Sequence, residues 1–207
     1  MENRKKTYKM AILALFIAIE IILVLTPLGI IPIGPIQITT MHIPVVLAAI
    51  LLGTKQGAIL GLVFGLASTT YAVVFPSPAS LFFTPFYSIG EYSGNFFSLV
   101  IAIVPRVLLG VIAGSLYGLL SKTNVPKGLA IIISSVVSTV IHTVMVMSLI
   151  YIFFGRQYSA LFNVQLSDIM IFVWLTLATN GFYEALFAGF LNWPIIRALQ
   201  KVIREER

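Results

Sequence analysis

Few side chains in this sequence can do polar chemistry, and those that can are set among long apolar runs. Arg106 directly follows Pro105 inside an apolar run over 97–120. Proline lacks a backbone donor, so a carbonyl in the preceding turn loses its helical partner. A guanidinium at that place can clamp a carboxylate or phosphate through two parallel hydrogen bonds. An internal ion pair with Glu91, Glu184 or Glu20, or snorkelling to the outer surface, satisfies the same energetics. Both readings stay open from residue types alone.

Asn180 and Glu184 are four residues apart and share a helix face, with Gly181 beside them allowing a close approach. At helical rise Asn180 lies about 18 Å below the outer end of its run, a depth suited to the floor of a cavity. His142 lies at comparable depth, with Ser138 and Ser135 back along its face. It reads either as a ligand contact or as a hydrogen bond between helices. Asp168 reads as a helix-start group favoured by the dipole.

Other chemistries lack their parts. Cysteine is absent and there are two histidines, His42 and His142, a hundred residues apart, so neither a thiolate site nor a metal cluster is expected. Glu184 and His142 as acid and base would still want a nucleophile or a metal pair, so no enzyme is expected. No GxxxxGK[ST] occurs, which places any ATP hydrolysis on another chain. No cofactor is expected.

The elements that position these residues follow from composition. Of 207 residues, 59% are hydrophobic and 10% charged, against about a quarter charged in an ordinary soluble chain. That describes an integral membrane protein and excludes a soluble enzyme, a nucleic-acid reader and a disordered scaffold. A bilayer-crossing helix needs about 20 apolar residues, and stretches bounded by Gly, Pro or charge predict six spans at about 8–25, 41–52, 58–75, 97–120, 128–154 and 167–199. They make one all-α domain over 1–207, a bundle of six transmembrane helices. The first run is read as a span and not as a cleavable signal peptide, because a turn at Thr26-Pro27-Leu28-Gly29 follows it in place of a cleavage site.

Charge sets the orientation. With the amino terminus in the cytoplasm, all of the 13 basic residues except Arg106 and Arg156 fall on the cytoplasmic side, so both termini are expected there. The net charge of +6 is then a topology signal and not the mark of a nucleic-acid partner.

Between the third and fourth spans, residues 76–95 carry Pro76, Pro78, Pro85, Gly90 and Gly94 among Phe82, Phe83, Phe86, Tyr87 and Tyr92, with Asn95 and Phe96 at the end. Such a segment is either an interfacial aromatic belt or a binding loop. With Gln37, Thr39, Thr40 and His42 it could roof a small-molecule pocket, with Tyr87 closing it. In the first span Ala14 and Ala18 form a small-xxx-small pair, extended by Ala11, that lets another helix come close. The glycines at 57, 61 and 65 and at 110, 114 and 118 are expected to pack helices within the chain.

Six spans in about 200 residues, the basic amino terminus, Ala14-Leu15-Phe16-Ile17-Ala18 and the aromatic outer loop resemble the substrate-binding S components of energy-coupling factor vitamin transporters. The run from Met41-His42-Ile43-Pro44 to Gly53, Gly57-Ala58-Ile59-Leu60-Gly61, Gly94-Asn95-Phe96-Phe97-Ser98 and Val104-Pro105-Arg106-Val107-Leu108-Leu109-Gly110 look like the pantothenate and hydroxymethylpyrimidine branch. The resemblance implies capture of a vitamin from outside, then docking on one transmembrane coupling subunit and two ATP-hydrolysing subunits. It places the family's docking motif on Ala14 and Ala18. For pantothenate, Arg106 would take the carboxylate, while Asn95, His142, Asn180 and Glu184 would complete the polar lining and Tyr87 the roof. A neutral pyrimidine would need no cation.

Overall fold

The computed structural model describes the backbone of residues 2–26, 28–33, 36–168, 171, 174–175 and 177–205, and the side chains of these except 2–6, 30–33, 36–38, 166, 177, 180 and 201–205. Six α-helices stand among the described residues: α1 (Glu2–Leu25), α2 (His42–Leu52), α3 (Thr54–Val74), α4 (Phe96–Leu120), α5 (Lys127–Phe162) and α6 (Phe182–Glu205). Two small antiparallel hairpins join them at one end. β1 (Ile30–Ile33) pairs with β2 (Ile36–Thr39), and β3 (Ser88–Ile89) with β4 (Tyr92–Ser93).

Four helices, α1 from Thr7 onward, α3, α4 and α5, are long and apolar enough to cross a membrane, and α2 is apolar but shorter at 11 residues. Their outward faces are apolar as well. Leu15, Ile22, Leu66 and Ile152 are all more than half exposed, as suits side chains that face lipid and would be an aggregation surface in water.

Glycine decides how α3 and α4 pack. A Cβ on Gly61 would collide with the Arg106 carbonyl, and one on Gly110 with the Gly57 backbone. The two backbones therefore touch, and this contact holds the Arg106 segment of α4 against α3. Gly118 has open space around it and takes no part. The polar turn predicted over 53–57 contracts to one residue. Gly53 adopts φ 116°, which a residue with a Cβ rarely tolerates, and α3 starts at Thr54.

Two boundaries differ from expectation. The fifth helix, predicted to end at 154, continues to Phe162 across a kink, because Phe154 leaves helical geometry (φ −131°) without ending the helix. The sixth, predicted as one helix over 167–199, opens on a 3₁₀ turn at Leu166–Asp168 and, among the described residues that follow, is α-helical at 171 and 174–175, π-helical over Leu177–Gly181 and α-helical again through α6. Asn180 and Gly181 are weak α-helix formers, and the wider π turn falls on them.

The core has two parts. One surrounds α2, whose residues are buried almost throughout, with Phe16 and Val24 of α1, Leu60 and Phe64 of α3 and Leu109 of α4. The other gathers Leu81 and Phe82 of the segment between α3 and α4, Ile101 of α4 and Val146, Ile150 and Phe154 of α5. Gly61→Ala is expected to destabilise the protein by about 1–3 kcal/mol, the usual range for overpacking. Gly118→Ala should leave thermal unfolding in detergent unchanged, and equal melting temperatures for the two variants would refute the backbone contact.

Candidate functional site

Arg106 owes its position to its neighbour. Pro105 offers no N–H to the Ile101 carbonyl one turn back, and Arg106 Nη1 donates to that oxygen at 2.7 Å. The guanidinium is held between two rings, 5.4 Å from the Phe64 centroid and 5.1 Å from that of Phe83. Phe64 comes from α3, on the face carried up by Gly61 and Gly65. Phe83 comes from the segment between α3 and α4, which Ser98 fastens to α4 by donating to the Leu81 carbonyl at 2.8 Å. Nε makes no hydrogen bond, and among the described residues no carboxylate is in hydrogen-bonding contact with Arg106. Of the three ion-pair partners left open by the sequence, Glu91 is exposed at the tip of the second hairpin, and Glu20 is fully buried on α1 with neither oxygen hydrogen-bonded.

The third, Glu184, is in the first turn of α6 just after the π turn. Its Oε1 accepts from Thr39 N–H at 3.0 Å and Thr39 Oγ1 at 2.7 Å. Glu184 and Arg106 line one cavity of about 420 Å³. His142 lines it from α5, buried, with Nε2 lacking a hydrogen-bond partner and its ring 6.3 Å from that of Phe64. Tyr71, Phe75 and Phe83 add aromatic walls, and Ser68, Ser77, Ser80 and Thr143 add hydroxyls. A largely apolar chamber with a cation, a carboxylate, an imidazole and hydroxyls can hold a small polar molecule in one orientation.

The structure thus brings together Arg106, His142 and Glu184 of the residues named from sequence, along with Thr39. Asn95 and Tyr87 do not line the cavity. The Asn95 side chain caps α4, accepting from Phe97 N–H at 2.8 Å, because it stands where the helix leaves free donors. Tyr87 packs on the outer apolar cluster. Asn180 contributes backbone to the π turn, and its side chain lies outside the described residues, as does that of Gln37. Thr40 donates to the Leu28 carbonyl instead, and His42 is buried in α2. Sequence reasoning missed Phe64, Ser68, Tyr71 and Ala72. They continue the glycine face of α3 at spacings of three and four, a signal that could have found them. Ala14 and Ala18 are exposed on α1, while Phe16, Glu20 and Val24 face inward.

Fold and cavity define a helical membrane protein built around a partly open chamber of small-molecule size. The family model for the substrate-specific component of ECF transporters matches residues 8–196, and the chain belongs to that family. It is 34% identical over 202 residues to the pantothenic acid transporter PanT of Lactococcus lactis subsp. cremoris (strain MG1363), a match that covers 96% of this chain and 97% of that protein. It is also 37% identical over 121 residues to the pantothenate transporter PanT of Leuconostoc mesenteroides subsp. mesenteroides (strain ATCC 8293), covering 55% of this chain and 52% of that one.

Asn95→Ala is expected to cost about 1 kcal/mol of stability through the lost cap, read as a lower melting temperature, while ligand affinity stays unchanged. A fall in affinity as large as that of an Arg106 variant would return Asn95 to the cavity.

Proposed function

We propose that this chain is the pantothenate-binding subunit of an energy-coupling factor importer, taking the vitamin from outside and passing it inward when docked on an ATP-driven module. The observation that carries the reading is Arg106, a guanidinium in an aromatic chamber with an unsatisfied Nε and no carboxylate bound to it. Pantothenate supplies the missing group as a carboxylate, with two hydroxyls and an amide for the remaining polar lining. A carboxylate lying along the guanidinium edge satisfies Nε and gains the strength of a charge-assisted pair. The chamber's volume of about 420 Å³ lies within the ordinary range for small-molecule sites. The near full-length similarity to a pantothenic acid transporter supports the same ligand.

The six helices form one domain over 1–207 with both termini in the cytoplasm, an orientation supported by the lysine and arginine bias. That puts the end of the cavity lined by Thr39, Ser77, Ser80 and Phe83 on the outer side. Ala14 and Ala18 are the docking face for the transmembrane coupling subunit, which works with two ATP-hydrolysing subunits. Exposed small residues on a helix within lipid allow the close approach such docking requires.

Calorimetric titration of the purified protein with pantothenate and with hydroxymethylpyrimidine tests the ligand. Tight binding of pantothenate alone is expected, and preference for the pyrimidine would overturn the assignment. Arg106→Ala should cost about 2–5 kcal/mol of pantothenate affinity, as for a broken buried charge pair. Pro105→Ala, which restores a backbone partner to Ile101, should cost roughly tenfold, near the value of one hydrogen bond to a charged group. Ala14→Trp and Ala18→Trp should abolish uptake in cells yet bind pantothenate normally, and normal uptake in both would remove the docking face.

A further inference from the structure

Glu184 is a carboxylate only 8% exposed, inside a membrane helix bundle where an ionisable side chain is costly unless it has partners. Its two oxygens are unequal. Oε1 is saturated by the N–H and the hydroxyl of Thr39. No hydrogen bond from the described residues reaches Oε2, although Glu184 lines the cavity. A carboxylate oxygen only accepts, so whatever occupies the space beside it must bring donors.

Thr39 is itself held. It ends β2, and its neighbour Thr40 donates through N–H to the Gly29 carbonyl at 3.0 Å and through Oγ1 to the Leu28 carbonyl at 2.7 Å. On the other side the π turn changes the helical phase just before Glu184. Two separate elements thus converge to present one carboxylate edge to the chamber.

We propose that Glu184 is the specificity-determining residue for the ligand's hydroxyl end, and that Thr39 is its positioning residue. The inference rests on the pantothenate reading and deepens it. The acidic end is repelled by Glu184 and belongs at Arg106. The hydroxyls donate to Glu184 Oε2. The chamber accordingly selects molecules with an acid at one end and hydroxyl donors at the other, and admits them one way round.

Calorimetric titration with three compounds separates the poles: pantothenate, pantothenyl alcohol, in which the acid is a hydroxymethyl group, and N-(3,3-dimethylbutanoyl)-β-alanine, which keeps the acid and lacks both hydroxyls. Glu184→Gln should weaken pantothenate and the alcohol alike, by about tenfold to a hundredfold, and leave the dideoxy acid little changed. Thr39→Val, which keeps Glu184 itself but removes the hydroxyl tie that positions it, should show the same ligand pattern with a smaller factor and serves if the glutamine variant does not fold. Arg106→Gln should weaken the two acids and spare the alcohol. Equal weakening of pantothenate and the dideoxy acid by Glu184→Gln would reduce Glu184 to a structural tie and overturn the proposal. Unchanged or tighter pantothenate binding would overturn it too. Failure of the unaltered protein to bind pantothenate would overturn the ligand reading itself, whatever the variants do.

Discussion

A proline's missing hydrogen bond organises the centre of this molecule. Pro105 leaves the Ile101 carbonyl without a helical donor, and the next residue turns its guanidinium back to fill the place at 2.7 Å. A cation is thereby fixed within the bundle with no carboxylate hydrogen-bonded to it among the described residues, Glu184 facing the same cavity. Everything near it is arranged to tolerate that charge. Phe64 and Phe83 present their faces to it, the Gly61 contact brings α3 close enough for Phe64 to reach, and the Ser98 tie keeps Phe83 over the helix. Removing any of these supports leaves the charge less well accommodated in a low-dielectric interior.

Much of the polar chemistry was legible from residue type because the apolar background is so uniform. Arg106, His142 and Glu184 stood out as groups that a bilayer should not contain, and all three meet at one chamber. Asn95 and Tyr87 stand away from that chamber for the opposite reason. In a polar, aromatic loop nothing in the sequence tells which way a side chain turns, and the free donors at the start of α4 claimed Asn95. Phe64 escaped notice as one phenylalanine among many, and its meaning comes only from Gly61 a turn before it and Gly65 next to it. Helix limits were legible to within a few residues where Gly or charge ended them. They do not show the kink at Phe154 or the π turn at Leu177–Gly181, since hydropathy does not register a kink or a change of helical pitch.

Several buried hydroxyls of α5 find partners close at hand. Ser134, Ser138 and Thr143 each return their hydroxyls to carbonyls of the preceding turn, and Asn192 of α6 donates to Ser135 at 3.3 Å. Thr139 Oγ1 and Asn192 Oδ1, on the same interface, are buried without a hydrogen-bond partner. His142, a turn beyond Ser138, faces the chamber with Nε2 unpartnered, beside Thr143, which lines it too.

Gly53 has a mechanical consequence. It is the whole connection between α2 and α3, and it lies at the far end of both from the chamber. Thr39 and Met41 sit at the free end of one arm, and Phe64, Tyr71 and Phe75 along the other. The α2 arm is about 16 Å long at helical rise, so a small rotation at one glycine spreads the walls at the chamber by a larger displacement. Just beyond the joint, the contact of Gly57 with Gly110 and Ala49 pins the fulcrum against α4. The two helices are thus joined through one residue and pinned together just beyond it, so the spacing of the chamber's walls at their far ends is set at a single turn.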